Sequence, residues 1–315
     1  MALGSGFGFA APEWLNWKHL MKTYPFATYD VFTDTPFAGN PLAVVFEADG
    51  LSQARMQTIA REFNLSETVF IRAPANAAHT ADVRIFTPAQ ELPFAGHPTI
   101  GAAIAIAEAR QGGAADVLLV LEEKVGLVRC AVKVAAAGAS FAEFDAPKLP
   151  EELGPGPSGA DLAAALGLTA SDIGFDHHLP THYSAGVPYV FAPVASLDAL
   201  ARAKLRTLAA YNNTGIFVYA RAAAESDHAF RARMFAPELG IVEDPATGSA
   251  AAAFAGVAAR FENLGDCWTT LPILQGVEMG RPSLIGLELE LRARQLTAIR
   301  IAGKAVKVMS GEISA

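Results

Sequence analysis

The sequence contains very little cysteine. Cys130 and Cys267 are the only two cysteines in 315 residues, and they form no CxxC or other paired pattern. This usage excludes a disulfide framework and favours a reducing cytoplasm as the location of the protein. We interpret both thiols as small, buried, apolar residues.

Basic clusters and long apolar runs are also missing. The chain has 24 Lys and Arg residues against 32 Asp and Glu residues, which gives a net charge of −8. An acidic chain without basic clusters is a poor candidate for binding nucleic acid or an anionic membrane surface. The mean hydropathy is positive, at +0.28, but the sequence has no uninterrupted run of about 18 apolar residues, so we predict no membrane span.

Sequence motifs for common cofactors are absent. The chain has no P-loop and no HExxH motif, and the glycines at 4–8 follow no strand, so they are not a dinucleotide-binding fingerprint. His177, His178 and His182 lie in a proline-containing loop without an obvious carboxylate partner. We interpret this loop as solvated rather than as a metal site. We therefore expect neither a cofactor nor a metal ion.

Two segments divide the chain. Residues 1–22 lack the basic start and the apolar core of a signal peptide, and we predict that they form a poorly ordered extension. Residues 147–159 are rich in Pro and Gly and are typical of a linker or a long loop. These signals predict a first domain over residues 23–146 and a second over residues 147–300.

The second half of the sequence repeats a pattern of the first half. An R-x-F-x-P pattern at 84–88 and again at 233–237 is followed each time by an acidic loop, a glycine turn and a helix of small apolar residues. The segment 99–107 is apolar on all helical faces, so it belongs in a protein interior. The repeat predicts an α+β fold of two similar domains, each a curved, mostly antiparallel sheet wrapped around a central apolar helix.

Shorter patterns predict the other elements. Apolar residues recur with helical spacing over 52–63, after a candidate N-cap serine, and a further helix is indicated over 197–210. β-Branched and apolar runs predict the strands, the last of them over 306–309.

Gly96 and Gly248 begin the two apolar helices and are candidates for binding an anion. A helix N-terminus offers unpaired N–H groups and a partial positive charge. Two such ends that converge would bind a carboxylate without an arginine. Tight packing is the structural alternative for either glycine alone. Because the two turns occupy related positions in the repeat, we favour a substrate site between the domains.

Glu67 is the candidate general acid and base. It lies between the end of a predicted helix and a strand that begins at Thr68. A carboxyl group at the rim of a sheet, among apolar residues, can have a raised pKa and can both take and give a proton. A helix cap after Asn64 is a weak alternative, and a solvated loop position fits the pattern as well as a catalytic role does.

Three further polar residues adjoin the glycine turns. We place His97 and Asp244 at matching positions of the repeat, where they could position a substrate and shuttle a proton. Taken singly, a polar loop residue and a helix cap are the simpler interpretations of these two side chains. Ser249 lacks the G-x-S-x-G context of a hydrolase nucleophile, so a hydroxyl that donates a hydrogen bond to the substrate is favoured.

Four segments together resemble the signatures of the PhzF-like, phenazine-biosynthesis-type family. In the family's order they read FAGNPLAVV at 37–45, NLSET at 64–68, AGHPTIG at 95–101 and DPATGSA at 244–250. The resemblance implies a diaminopimelate-epimerase-like fold with the active site between two similar domains. It also implies a homodimer and a C-terminal strand, 301–315, that returns to the first domain.

The resemblance also implies roles for individual residues. It carries the family's catalytic glutamate, histidine and aspartate onto Glu67, His97 and Asp244, and its serine onto Ser249. The family's type member isomerises a dihydro-hydroxyanthranilate-like ring acid by moving a proton. Related epimerases use a pair of cysteines at the two glycine turns. Those turns carry no cysteine here, which disfavours two-thiol racemisation.

These observations predict a cofactor-free isomerase that moves a proton on a small, cyclic carboxylate. Glu67 is expected to take and return the proton, while His97 and Asp244 hold and polarise the substrate. The N–H groups near Gly96 and Gly248, with the Ser249 hydroxyl, are expected to bind its carboxylate. The alternatives are an epimerase of an amino or hydroxy acid and a non-catalytic small-molecule-binding protein on the same scaffold.

Overall fold

Two helices without a polar face organise the molecule. A computed structural model of the chain describes residues 22–206, 214–237 and 241–315. Helix α2 (Gly96–Arg110) is buried from its first residue to Ala107, and helix α5 (Gly248–Phe261) is buried almost as completely. Small residues, mostly alanine, cover every face of both helices. A helix of this kind cannot face water, so a curved sheet encloses each one.

The first half of the molecule surrounds α2. Its elements follow one another in chain order: β1 (Thr23–Val31), β2 (Asn40–Val45), α1 (Gln53–Phe63), β3 (Glu67–Arg72), β4 (Ala81–Phe86), β5 (Glu91–Leu92), α2, β6 (Ala115–Glu123), β7 (Gly126–Val134) and β8 (Ser140–Asp145). Apart from Lys22, the predicted N-terminal extension lies outside the described residues.

The second half surrounds α5 in the same way. Its elements are β9 (Glu151–Pro155), α3 (Gly159–Leu166), β10 (Thr181–Ser184), β11 (Pro188–Pro193), α4 (Leu197–Arg202), β12 (Gly215–Arg221), β13 (Phe230–Ala236), β14 (Ile241–Asp244), α5, β15 (Trp268–Thr270), β16 (Ile273–Gln275), β17 (Ser283–Arg292) and β18 (Gln295–Ser314).

The two halves share one pattern of strand pairing. In the first, β1 pairs antiparallel with β2, β2 parallel with β3, β3 antiparallel with β4, and β4 both antiparallel with the short β5 and parallel with β6. In the second, β10, β11, β12, β13, β14 and β16 repeat these six places in the same order and directions. The predicted α+β fold of two similar sheet-and-helix units is confirmed.

The long last strand belongs to both halves. Residues 295–302 of β18 pair with β17, which extends the second sheet. Residues 300–305 pair with β8, and residues 305–314 pair with β1, so this strand closes the first sheet into a ring around α2. The division of the chain into domains at 146 and 300 stays a prediction.

Two local predictions are wrong in part. The segment 147–159, predicted as a linker, contains β9, whose backbone pairs with β10. The helix predicted over 197–210 ends at Arg202, and residues 207–210 lie outside the described part of the chain. The helix ends there because the next N–H groups, of Lys204 and Arg206, donate to the last carbonyls of α3 rather than to α4.

The prediction for cysteine is right at one position and wrong at the other, and the solvated-loop prediction for histidine is right at one position and wrong at two, since His182 is half-buried in β10. Cys130 is buried as expected, but Cys267 is exposed. His177 is exposed, whereas His178 is buried and does not belong to a solvated loop. The His178 ring lies between the Tyr219 hydroxyl, 2.9 Å from Nδ1, and a Glu262 carboxylate oxygen, 2.8 Å from Nε2.

Across the described residues, none of the helices combines the length and the apolar character that crossing a membrane requires.

Candidate active site

The N-termini of α2 and α5 meet end to end at the junction of the two halves. A methyl group added to Gly96 would lie 2.7 Å from the Gly248 Cα atom, and one added to Gly248 would lie 3.0 Å from the Gly96 Cα atom. Real Cβ atoms essentially never approach backbone as closely as 2.7 Å, and 3.0 Å is tighter than most contacts, so any side chain at Gly96, and to a smaller extent at Gly248, would push the helix ends apart. The unpaired N–H groups of the two helix ends, and their partial positive charges, therefore converge.

The first residue after each glycine is polar. His97 follows Gly96, and Ser249 follows Gly248, so these two residues occupy matching positions of the repeat. The prediction that His97 and Asp244 occupy matching positions of the repeat is therefore wrong. Asp244 ends the strand β14, four residues before its helix, and Leu92 holds the same place at the end of β5, four residues before α2.

Glu67 is the first residue of β3 and is only 8% exposed, which rules out a solvated loop position. The preceding helix ends at Phe63, and the left-handed backbone of the next residue, Asn64, turns the chain towards β3. Burial, and then the nearby Asp244 carboxylate, raise the pKa of Glu67 well above its usual range. No N–H or O–H group of the described side chains donates to the Glu67 carboxyl, and its Oε2 atom is buried without a hydrogen-bond partner.

Asp244 is buried to the same extent, but donors occupy both of its carboxylate oxygens. Asn40 Nδ2 donates to Oδ1 over 2.8 Å, and the Thr247 hydroxyl donates to Oδ2 over 2.6 Å. Burial raises the pKa of Asp244 to about 6, while these two hydrogen bonds act in the opposite direction. This carboxyl group is held in place by the protein, in contrast to that of Glu67.

His97 stands between the two carboxyl groups. Its Nε2 atom lies 3.3 Å from Glu67 Oε2, and no aligned hydrogen bond joins the two atoms. Its Nδ1 atom lies 3.2 Å from Asn40 Nδ2. Burial lowers the pKa of His97 to about 3, so the imidazole is neutral near pH 7.

Three buried residues of the site were assigned no role from the sequence. Asn40 lies within the FAGNPLAVV segment but gave only a turn signal. Tyr189 has its hydroxyl 2.7 Å from Ser249 Oγ, and its pKa is raised by burial and, to a smaller extent, by Asp244 and Glu67. Gln275 donates to the Asp244 carbonyl oxygen over 2.7 Å and accepts from the Thr247 N–H. The last two had no local signal, because their partners are distant in the sequence.

The structure thus brings all six predicted site residues to one enclosed place. Glu67 can exchange a proton, a neutral His97 adjoins it, and two helix ends can hold an anion. Their roles remain proposals.

Comparisons with known proteins agree with this architecture. Residues 29–311 match the family model of the phenazine biosynthesis-like proteins, PhzC-PhzF. The chain is 49% identical to a protein of Mesorhizobium japonicum named as an uncharacterized isomerase, over 93% of this chain and 99% of that protein. It is 39% identical to the trans-2,3-dihydro-3-hydroxyanthranilate isomerase of Pseudomonas chlororaphis, over 90% of this chain and 97% of that enzyme.

A solved structure gives the same result. The PhzF-family phenazine biosynthesis protein of Bacillus anthracis superposes with a TM-score of 0.82 at 28% identity, over 93% of this chain and 99% of that one. The predicted family and its diaminopimelate-epimerase-like fold are confirmed. The chain belongs to the phenazine biosynthesis-like (PhzC-PhzF) family and is an enzyme of the isomerase class.

Proposed function

We propose that the protein is a cofactor-free isomerase that moves a proton within a small, cyclic carboxylate, with Glu67 as its general acid and base. The supporting observation is the contrast between the two buried carboxyl groups. Donors hold both oxygens of Asp244, whereas no described side chain donates to Glu67. A carboxyl with a raised pKa and a free oxygen is suited both to taking and to returning a proton.

The asymmetry of the repeat supports proton transfer on one face of the substrate. Leu42 faces Glu67 where β2 meets β3, and the matching pair where β11 meets β12 is Tyr189 and Gly215. A glycine therefore stands where a second glutamate would be. An epimerase needs a proton donor and a proton acceptor on opposite faces of one carbon. A single base that removes a proton and returns it to another carbon on the same face fits this site better.

The substrate's carboxylate is proposed to lie at the two helix ends. The N–H groups near Gly96 and Gly248 would bind it, and the Ser249 hydroxyl, supported by Tyr189, would donate a further hydrogen bond. We propose trans-2,3-dihydro-3-hydroxyanthranilate, the compound in the names of several relatives, as the first substrate to test. A cytoplasmic location and a homodimeric assembly belong to the same proposal.

Deuterium exchange tests the proposal. The protein is incubated in D₂O with trans-2,3-dihydro-3-hydroxyanthranilate and a panel of cyclic amino and hydroxy acids, and label uptake is followed by mass spectrometry and NMR. Glu67→Gln should lower turnover by about 10²–10⁴-fold while leaving ligand binding intact, because one proton carrier is lost. Glu62→Gln, an exposed glutamate on α1, is the matched control and should retain activity.

Each alternative has its own result. If Glu67→Gln turned over substrate at the wild-type rate, Glu67 would not be the general acid and base. Inversion at a single labelled carbon would identify an epimerase. Tight binding of a compound, without exchange into any compound of the panel, would identify a binding protein.

A further inference from the structure

We propose that Asn40 is a positioning residue that fixes the neutral His97 ring as a hydrogen-bond donor on the side that faces Glu67. The inference rests on the proposed function, because it divides the chemistry between these two residues. It follows from counting the hydrogens around one buried amide.

The orientation of the Asn40 amide is set by a partner that can only accept. The backbone carbonyl oxygen of Ala246 lies 2.9 Å from Nδ2, so this atom must be the NH₂ group. The same group lies 2.8 Å from Asp244 Oδ1. Its two hydrogens are thus directed to the Ala246 carbonyl and to the Asp244 carboxylate.

The third neighbour of this NH₂ group is His97 Nδ1, at 3.2 Å. An amide NH₂ group has no lone pair to offer, so an N–H on Nδ1 would point at another donor. The Nδ1 atom must therefore carry the lone pair. In a neutral imidazole the single hydrogen is then on Nε2.

This tautomer determines what His97 can do. Nε2 is the ring nitrogen on the Glu67 side, 3.3 Å from Oε2, and its hydrogen is not used by any described side chain. The ring can donate a hydrogen bond to the substrate there. Because Nε2 already carries a hydrogen, it cannot accept a second proton, and burial opposes protonation at Nδ1. The base is then Glu67 alone.

The position of Asn40 is itself fixed from both halves. It is the first residue of β2 and is fully buried, while its partners Asp244 and Ala246 belong to the second half. The preceding loop is held by Arg281, whose guanidinium donates to the carbonyl oxygens of Gly39 and Ala38. The amide therefore stays beside His97 only while the halves are docked.

The test measures the tautomer directly. In the intact protein labelled with ¹⁵N-histidine, two-bond ¹H–¹⁵N correlation spectra distinguish Nε2–H from Nδ1–H rings, and His97→Gln identifies the His97 signals. Wild type should show the Nε2–H tautomer at pH 7. Asn40→Asp should move the ring to Nδ1–H. With the Asp244 carboxyl group 2.8 Å away, one of the two acids keeps its proton, this single hydrogen joins the two carboxyl groups, and an oxygen lone pair of Asn40→Asp then faces Nδ1. Asn40→Leu has no donor beside Nδ1, so it should give a mixture of the two His97 tautomers.

Activity should follow the tautomer. With trans-2,3-dihydro-3-hydroxyanthranilate as probe, Asn40→Asp should lower kcat by about 10²-fold or more, with a smaller change in KM, because a wrong tautomer removes the donor from the transition state. Gln275→Leu is the matched control. It removes a buried amide that also holds the Asp244 segment but does not contact His97, so the His97 tautomer should stay as in wild type.

An Nδ1–H or a charged His97 in the wild-type protein would overturn the proposal, and this measurement needs no variant that folds. An unchanged tautomer and kcat in Asn40→Leu would overturn it as well. The tautomer is read without turnover, so the outcome is independent of the Glu67→Gln experiment: either result can fail while the other stands.

Discussion

The two halves of the molecule share a framework but differ in chemistry. In the first half, Arg84 forms a two-pronged ion pair with Glu91; in the second, Arg233 forms the same pair with Glu243. Each guanidinium also lies over the phenylalanine of its own R-x-F-x-P pattern, at 5.4 Å and 4.9 Å from the ring centre. The repeated motif is thus a buried ion pair that joins one long strand to the short strand after it.

The halves differ where they face each other. Matching positions hold Glu67 and Gly215, His97 and Ser249, and Leu42 and Tyr189. The first half supplies Glu67 and His97, and the second supplies hydroxyl groups together with the Asp244 carboxyl group. The comparison teaches that a symmetric scaffold can carry an asymmetric site, because the shared ion pairs and helix interiors hold the framework while the residues that differ lie at the junction.

The largest effect on stability is expected from breaking the second of the matched ion pairs. Arg233→Met leaves the Glu243 carboxylate without its partner and frees the carbonyl oxygens of Leu200, Ala201 and Ala203, to which Arg233 also donates. We expect a loss of up to about 3–5 kcal/mol in the free energy of unfolding, measured by denaturant titration, because a half-buried carboxylate and three carbonyls lose their partner.

The matched variant in the first half is Arg84→Met. Its effect should be clearly smaller, because Lys124 still contacts Glu91 over 2.5 Å. Removal of both charges, by Arg233→Met with Glu243→Leu, should restore part of the lost stability. Equal losses for Arg84→Met and Arg233→Met would mean that the two pairs are energetically equivalent.

A second difference lies at the fourth residue of each helix, which contacts a buried acid, Glu123, in the first half. Thr99 Oγ1 is 2.8 Å from both the Ala95 carbonyl oxygen and Glu123 Oε1, but a hydroxyl has one hydrogen. When that hydrogen goes to the carbonyl, Glu123 must be protonated and donate to Thr99. Burial accordingly raises the pKa of Glu123 to about 8. The matching residue of Thr99 in α5 is Ala251.

This acid should make stability depend on pH. Because the folded pKa of Glu123 lies above the unfolded value, the folded state binds the extra proton, and the stability it contributes is lost as pH rises from about 4.5 to 8. Glu123→Gln copies the protonated acid. It should match wild type near pH 4.5 and exceed it by a few kcal/mol above pH 8, at about 1.4 kcal/mol per pKa unit.

Unfolding titrations across this pH range check the difference. Glu122→Gln is the neighbouring control: hydrogen bonding to His79 lowers the pKa of Glu122, so its titration lies below this window. A constant gap between Glu123→Gln and wild type from pH 4.5 to 8 would show that Glu123 does not titrate there.

Those features of the fold that depend on residues close together in the chain could be predicted from the sequence. The apolar helices, the glycine turns and the R-x-F-x-P repeat could be predicted, because helical periodicity and turn residues act over a few positions. Strands such as β5, β15 and β16 could not, since two or three residues show no alternation. The roles of Asn40 and Gln275 depend on partners 204 and 31 residues away. The Asn40 contact exists only once the halves dock, and the Gln275 contact only once β14 and β16 come together in the second half, so no local pattern encodes either.

The smallest change in stability is expected where the halves touch. Gly96→Ala places a methyl group 2.7 Å from Gly248 Cα, and Gly248→Ala places one 3.0 Å from Gly96 Cα, so the first variant should be the more disruptive. We expect about 1–3 kcal/mol for Gly96→Ala, because backbone rather than a flexible side chain must move. Gly112→Ala, where an added methyl group meets no described atom within 4 Å, is the control.

Activity should respond more strongly than stability. A shift of about 1 Å between the two helix ends would lower kcat/KM by about 10²-fold, because it moves His97 relative to Asp244 and separates the N–H groups proposed to hold the carboxylate. Equal kcat/KM values for Gly96→Ala and Gly112→Ala would show that the close approach of the helices serves packing alone. A large fall in kcat/KM with a small change in unfolding free energy would tie the contact between the halves to catalysis, since packing alone would change the two together.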